Sequence, residues 1–146
     1  LTKMALRMDP DRVVVGEVRG AEAFPMLLAM SQGNNGSMCT IHADSARSVF
    51  PKLLAYVSMA STGVPTDTVN LLVSSAVHLV VHVQIQHHMR RVVSIHEVVG
   101  ADGNSIASNE VMSLSSETQN FVAMRASTAA LLASHGFQSK RELVWS

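Results

Sequence analysis

The stretch Arg12-Val13-Val14-Val15-Gly16-Glu17 decides how this chain is read. Its valines form a β-branched apolar run with no alternation, the pattern of a strand covered on both faces in a parallel sheet. Glu17 stands at the carboxyl end of that strand, on the side where open α/β sheets bind their ligands. Upstream, Leu1 to Met8 reads as the end of a helix, stopped at Asp9-Pro10-Asp11 because the residue before a proline is pushed out of the helical region. Downstream, Ala21 to Gln32 reads as a helix that tolerates Pro25 close to its first turn, and Gly33-Asn34-Asn35-Gly36 as a turn. Ser37 to His42 is a second short strand ending in a polar residue. Ser45 caps a helix to about Ala60 that Pro51 is expected to kink and Gly63 to end; Pro65 then opens another, Thr66 to Ala76.

Beyond Ala76 the period changes from helical to two. Leu79, Val81, Val83 and Ile85 alternate with His78, Val80, His82 and Gln84, which predicts a strand whose apolar face rests on a core. His87-His88-Met89 is a turn, and Arg91 to Val99 returns as the second strand of an antiparallel hairpin. Asp102-Gly103 marks another turn into a weakly patterned third strand. Ser113 to Asn120 reads as a polar loop, and Ser127 to His135 as a last helix closed by Gly136. Helix, strand, helix, strand, two helices and a hairpin make the second half of an α/β sheet with an antiparallel appendage. The expected division is 1–103 and a C-terminal extension, 104–146.

Composition narrows the function classes. The 146 residues are 47% hydrophobic and 15% charged, which excludes disorder and fits a globular domain or part of one. Eleven basic residues balance eleven acidic ones, so the whole chain presents no electrostatic footprint for nucleic acid. The single cysteine, Cys39, excludes an intrachain disulfide and makes a reducing cytoplasm the default compartment. No apolar stretch reaches the roughly 18 residues needed to span a bilayer. The chain opens at Leu1 within an amphipathic pattern, as a fragment of a longer protein is expected to do.

An apolar strand followed by Gly16-Glu17 has the layout of a Walker B element, in which the acid acts on Mg2+ through water or orients the attacking water. Ala5-Leu6-Arg7-Met8-Asp9-Pro10-Asp11-Arg12-Val13-Val14-Val15-Gly16-Glu17-Val18-Arg19-Gly20 closely resembles that segment of the type II/IV secretion-system ATPases. Some twenty residues on, Gly33-Asn34-Asn35-Gly36-Ser37-Met38-Cys39-Thr40-Ile41-His42-Ala43-Asp44-Ser45-Ala46-Arg47 resembles the family's histidine box. Arg90-Arg91 and Glu97-Val98-Val99-Gly100 resemble the end of its catalytic domain in the branch that drives Flp-type (tight-adherence) pili and related type IV secretion. The resemblance covers Leu1 to about Gly103 well and the remainder loosely.

It implies the carboxy-terminal half of a RecA-like P-loop NTPase domain with a hairpin appendage, taking ATP and Mg2+. In the family's terms Glu17 is the Walker B acid, acting on Mg2+ through water or on the hydrolytic water, and His42 the residue near the γ-phosphate. Gly16, Arg19 and Arg47 fall to nucleotide binding, with Arg19 and Arg47 serving phosphate contacts or subunit interfaces. The implied assembly is a homo-hexamer at the cytoplasmic face of the inner membrane, working on a membrane platform protein. No GxxxxGK[ST] loop occurs in the sequence, so these residues alone are expected to bind ATP weakly and not to hydrolyse it. Asn34 stands where the family often has histidine and Asp9 where it often has arginine. These departures keep open an alternative, a non-catalytic assembly module.

The remaining chemistry-bearing residues read as structural. His78 and His82 lie about 13 Å apart on a strand, too far to share an ion. His87-His88 belong to a solvated turn, Cys39 is a buried inert thiol, and the nine methionines are core filler. Phe137 and Trp145 dock either the last helix or a neighbouring subunit.

Overall fold

The computed structural model describes residues 10–60, 63–115 and 118–138. The helix expected over Leu1 to Met8, Asp9 and Trp145 lie outside these. Six strands and four helices follow in the order β1 (Val14–Val15), α1 (Ala23–Ser31), β2 (Met38–Cys39), α2 (Val49–Met59), α3 (Thr66–Ala76), β3 (Leu79–Gln86), β4 (Met89–Asp102), β5 (Ser105–Ser115), β6 (Thr118–Phe121) and α4 (Ala126–Ser134). β1 and β2 pair in parallel, Val14 with Met38 and Val15 with Cys39. The other four strands form an antiparallel sheet in sequential order.

The helices are where the sequence places them, with one shift. Pro51 falls at the third position of α2, where its missing N–H has no intrahelical acceptor to lose, so it starts the helix without kinking it. Residue 48, not Ser45, is the N-cap, and Ser45 instead bonds Ser48 within the preceding turn. α1, α2 and α3 pack together through Met26, Leu27, Leu53, Val57, Val69 and Val73, and meet β4 at Val98. Leu27, Val57 and Val73 are all but inaccessible to solvent, so this cluster carries most of the hydrophobic stabilisation of the described residues.

Three expectations for the strands are corrected. β1 is not covered on both faces: Val13 and Val18 are buried but Val14 is 69% exposed. Among the described residues no layer lies over the Val14 face, so its apolar character has no matching burial. β3 forms as expected, yet its apolar alternation points the other way. Val81, Val83 and Ile85 stand exposed, while Val80 packs on the helical core. Finally, Ser113 to Asn120 is not a loop. β5 runs to Ser115 and β6 pairs back along it, Ser115 with Thr118 and Met112 with Phe121. β6 is exposed along its length, so no apolar periodicity could reveal it.

Turn chemistry fixes the hairpins. Gln86 pairs with Met89, leaving His87 and His88 as a two-residue turn with φ of 49° and 63°. Both lie in the left-handed region that such turns need in order to match strand twist.

Candidate functional site

The parallel pair β1–β2 sets the geometry. Met38 N–H donates to the Val13 carbonyl (3.0 Å), Thr40 N–H to Val15 (3.3 Å) and Val18 N–H to Thr40 (2.9 Å). This ladder outlasts the two-residue strands and carries both chains in step as far as Glu17 and His42. The turn before β2 is tied in the same way. Ser37 Oγ accepts from Val13 N–H (2.8 Å) and donates to the Asn34 carbonyl (2.7 Å), while Asn34 Nδ2 donates to Ala29 at the end of α1 (3.1 Å). Gly36 closes the turn at φ 85°, and a Cβ there would lie 2.9 Å from Arg12 Nε.

Glu17 Oε2 accepts from the Arg19 guanidinium at 2.5 Å, and Glu17 Oε1 lies 3.2 Å from His42 Nε2. The Glu17 side chain is 26% exposed and that of His42 88%, so the carboxylate is sheltered and the imidazole open to solvent. The hydrogen bond from Arg19 holds the Glu17 carboxyl below the usual carboxylate range against an opposing desolvation, and the charges of Arg19 and His42 add more weakly to it. The same bond raises Arg19. Glu17 is therefore an anion at neutral pH with two cationic or polar neighbours already in place.

Gly16 is exposed, and a Cβ built on it would meet nothing within 4 Å. Its backbone is nevertheless engaged, since Thr40 Oγ1 donates to the Gly16 carbonyl at 2.5 Å. Arg47 is not gathered with the others. It is exposed and lines clefts beside β4 and β5, whereas His42 lines a separate groove between β2 and β3. Cys39 behaves as an inert thiol, because burial pushes its pKa up and keeps it protonated.

Three supporting residues escaped the sequence reading. Glu22 Oε1 accepts from the backbone N–H of Arg19 (2.6 Å) and Gly20 (3.0 Å), closing the turn that presents Arg19. Lys52 Nζ donates to the His42 carbonyl at 2.5 Å from the first turns of α2. Thr40 braces Gly16, as described. The one signal for Glu22 was its spacing, an acid three residues after Arg19 at a helix start, the reach of a capping carboxylate.

The donor set suits a hard cation held indirectly. Glu17 offers carboxylate oxygen, and among the described residues no group of three His, Cys, Asp or Glu side chains could cage an ion. Mg2+ is commonly bound through one or two carboxylates, waters and substrate phosphates rather than by an all-protein cage. No described helix is long and apolar enough to cross a membrane.

Comparison with known proteins agrees with this layout. Residues 1–143 match the family described as "Type II/IV secretion system protein". The type IV secretion system protein PtlH of Bordetella pertussis is 37% identical over 100 residues, 65% of this chain and 30% of PtlH. The conjugal transfer protein TrbB of Rhizobium radiobacter is 32% identical over 104 residues, 71% of this chain and 31% of TrbB. In three dimensions the chain is similar to the VirB11 ATPase of the Brucella suis type IV secretion system, solved with sulphate. That match has a TM-score of 0.60 and 28% identity, and covers 66% of this chain and 31% of VirB11. The chain thus spans about a third of the length of these relatives. The family match spans residues 1–143, almost the whole sequence: the chain belongs to the type II/IV secretion system protein family.

Proposed function

We propose that this chain is the part of an ATP-hydrolysing secretion motor that acts on the water and the terminal phosphate. The observation that carries the reading is the Glu17–Arg19–His42 cluster at the carboxyl end of β1. Mg2+ bound with ATP supplies charge neutralisation across the phosphates. Glu17 would hold that ion through water or orient the attacking water, its low pKa keeping it an acceptor. Arg19 is the fixed positive charge, which a guanidinium retains at any working pH. His42 faces solvent 3.2 Å from Glu17, placed to report on the phosphate through that carboxylate. Gly16 leaves the approach to the strand end open, having no side chain to obstruct it. Arg47, apart from this cluster, is assigned to a subunit or partner interface rather than to phosphate.

The phosphate-cradling loop and its lysine are assigned to protein outside this sequence, which contains no GxxxxGK[ST]. The 146 residues alone then bind ATP weakly and do not turn it over. We assign the whole motor to a homo-hexamer at the cytoplasmic face of the inner membrane, with a membrane platform as partner. Within the family we assign it to the Flp-type pilus branch, on the strength of Arg90-Arg91 and Glu97-Val98-Val99-Gly100. One observation favours the non-catalytic module instead: Asn34, where relatives of that branch often carry histidine, spends its side-chain amide on the Ala29 carbonyl.

The test is the ATPase rate of the full-length protein, wild type beside Glu17→Gln, with oligomer size recorded in the same samples. Loss of roughly 10²–10⁴-fold in turnover with assembly retained is the expected result for removal of a group that handles the reacting water. A wild type that assembles with its platform but shows no turnover would hand the chain to the module reading.

A further inference from the structure

Arg19 is held twice, by two different carboxylates. Its guanidinium rests on Glu17 Oε2 at 2.5 Å, and its backbone N–H donates to Glu22 Oε1 at 2.6 Å. The same Glu22 oxygen accepts the N–H of Gly20 at 3.0 Å. On either side the backbone has bonds of its own. Val18 N–H donates to the Thr40 carbonyl at 2.9 Å, and Ala23 N–H to the Gly20 carbonyl at 3.0 Å. Between those two fixed points, one side-chain oxygen serves as acceptor for the N–H groups of both residue 19 and residue 20.

Glu22 stands at the N-cap of α1 but makes no side-chain bond to that helix. An N-cap side chain ordinarily accepts from the first turn of its own helix. This one turns back onto the strand end instead, and Glu22 is exposed, so burial does not force it there. The direction has a geometric consequence. Side chains two residues apart share a face only while the backbone between them stays extended. Glu17 and Arg19 are two apart, and the chain turns towards α1 directly after them. Holding the N–H groups of residues 19 and 20 at one point sets where that turn begins, and so the direction in which the Arg19 side chain leaves the backbone. The bond from the Arg19 N–H does most to keep the Glu22 carboxyl below its ordinary value, which makes Glu22 an ionised, charge-assisted acceptor at neutral pH.

We propose that Glu22 is a positioning residue of the Glu17 cluster: by gathering the backbone N–H groups of Arg19 and Gly20, it directs the Arg19 guanidinium onto Glu17. The charge of Glu22 and its bonds act on Glu17 in opposite directions. A neighbouring anion raises a carboxyl pKa, so loss of the charge alone would lower the Glu17 titration. Loss of the positioning frees the guanidinium and raises it. Few other titratable groups face the pair. His42 faces Glu17 from the end of β2, and Tyr56 of α2 acts on Arg19 but is uncharged in the acid range, its ordinary pKa being about 10. The inference rests on the reading of the Glu17 cluster as the functional centre and adds how its arginine is held.

The test is the titration of Glu17 in the 146-residue chain, followed by the NMR shift of its side-chain carboxyl carbon in the wild type, Glu22→Gln and Glu22→Ala. Both variants lack the same charge, and the glutamine oxygen can still accept from both N–H groups, so the gap between them isolates the bonds. Glu22→Gln should leave the Glu17 midpoint at or slightly below its wild-type value. Glu22→Ala should move it up, toward the ordinary glutamate value of about 4.3. Equal midpoints in the two variants overturn the proposal, even if Glu22→Ala melts at a lower temperature, because Glu22 is then a structural cap or a through-space charge and nothing more. A second measurement needs no substitution and decides the matter should Glu22→Ala fail to fold. In the wild type, the backbone amide protons of Arg19 and Gly20 should move upfield as acid protonates Glu22, with the midpoint of the Glu22 carboxyl carbon. A different midpoint would equally overturn the proposal. Neither measurement uses nucleotide, so a full-length protein without ATPase turnover would remove the proposed function and leave the positioning result as measured.

Discussion

Two glutamates of this molecule each pair with an arginine, and they are held in opposite ways. Glu17 stands at the end of β1 with Arg19 two residues away, in a pair whose side chains are 26% and 76% exposed. Glu97 lies in the middle of β4 with Arg125 arriving from across the chain, and its own side chain is 1% exposed. Both carboxylate oxygens of Glu97 are engaged. Arg125 Nε donates to Oε1 (2.9 Å) and Arg125 N–H to Oε2 (3.1 Å), and the Thr128 hydroxyl adds a short bond to Oε1. The rest of the guanidinium is spent on the Val98 (2.7 Å) and Val99 (3.0 Å) carbonyls. Glu97 therefore anchors the start of α4 to the sheet. Glu17 has one strong partner and one open flank, the arrangement that lets a carboxylate serve something not yet bound.

If that contrast is right, removing the buried partner should damage the fold most. Glu97→Ala takes the acceptor from Arg125 and Thr128 together, and leaving such partly buried donors unpaired typically costs about 1–3 kcal/mol, the half-exposed guanidinium being able to turn to water. Urea unfolding of the 146-residue chain measures it. Should the loss prove no larger than for an exposed surface substitution, the distinction between anchor and site collapses.

Acid gives a milder version of the same test. Burial pushes the Glu97 carboxyl up, but the hydrogen bonds from Thr128 and from the backbone and side chain of Arg125 outweigh it and leave the group below its ordinary value. A folded-state pKa lower than the unfolded one adds stability above the unfolded value, near pH 4.3, which is lost as pH falls through the folded value. Chemical denaturation as a function of pH should therefore show wild-type stability falling below about pH 4. In Glu97→Gln that part of the slope should be missing, because the amide has no proton to take up.

The same contrast explains what was legible in the sequence. Glu17 and His42 can be picked out together in the sequence because what joins them is local: a valine run, a glycine turn and the stretch from Gly33 to Arg47 make one recognisable pattern. Glu97 could be seen only as part of a family-like string, since Arg125 and Thr128, the residues that give it a role, lie 28 and 31 positions away. The strands divide in the same way. β3 was legible from its alternation, but which face is buried depends on α1, α2 and α3 lying against Val80, and no local signal carries that. β6 was read as a loop because both its faces meet solvent, so pairing with β5 alone defines it. Lys52 and Thr40 support the site through backbone carbonyls of His42 and Gly16, and a bond to a backbone leaves no trace in the identity of the residue that accepts it.

The smallest expected effect is the sharpest discriminator, because it concerns Glu17 itself. Arg19 is largely exposed, so Arg19→Ala should leave the melting temperature of the chain nearly unchanged. The Glu17 carboxyl, however, loses the hydrogen bond that contributes most to holding it low, and the favourable charge with it. Its titration, followed by the NMR shift of the side-chain carboxyl carbon, should move up toward the ordinary glutamate value near 4.3. With Arg19 gone, the desolvation that remains outweighs the weaker pull of His42, so nothing is left to hold the group low. A Glu17 titration indifferent to Arg19→Ala would mean that solvent already screens the pair, and that Arg19 is free to leave Glu17 for a phosphate at no electrostatic cost. A clear upward move would mean that any ligand recruiting Arg19 must also release Glu17, so that binding of such a ligand and the proton affinity of Glu17 change together.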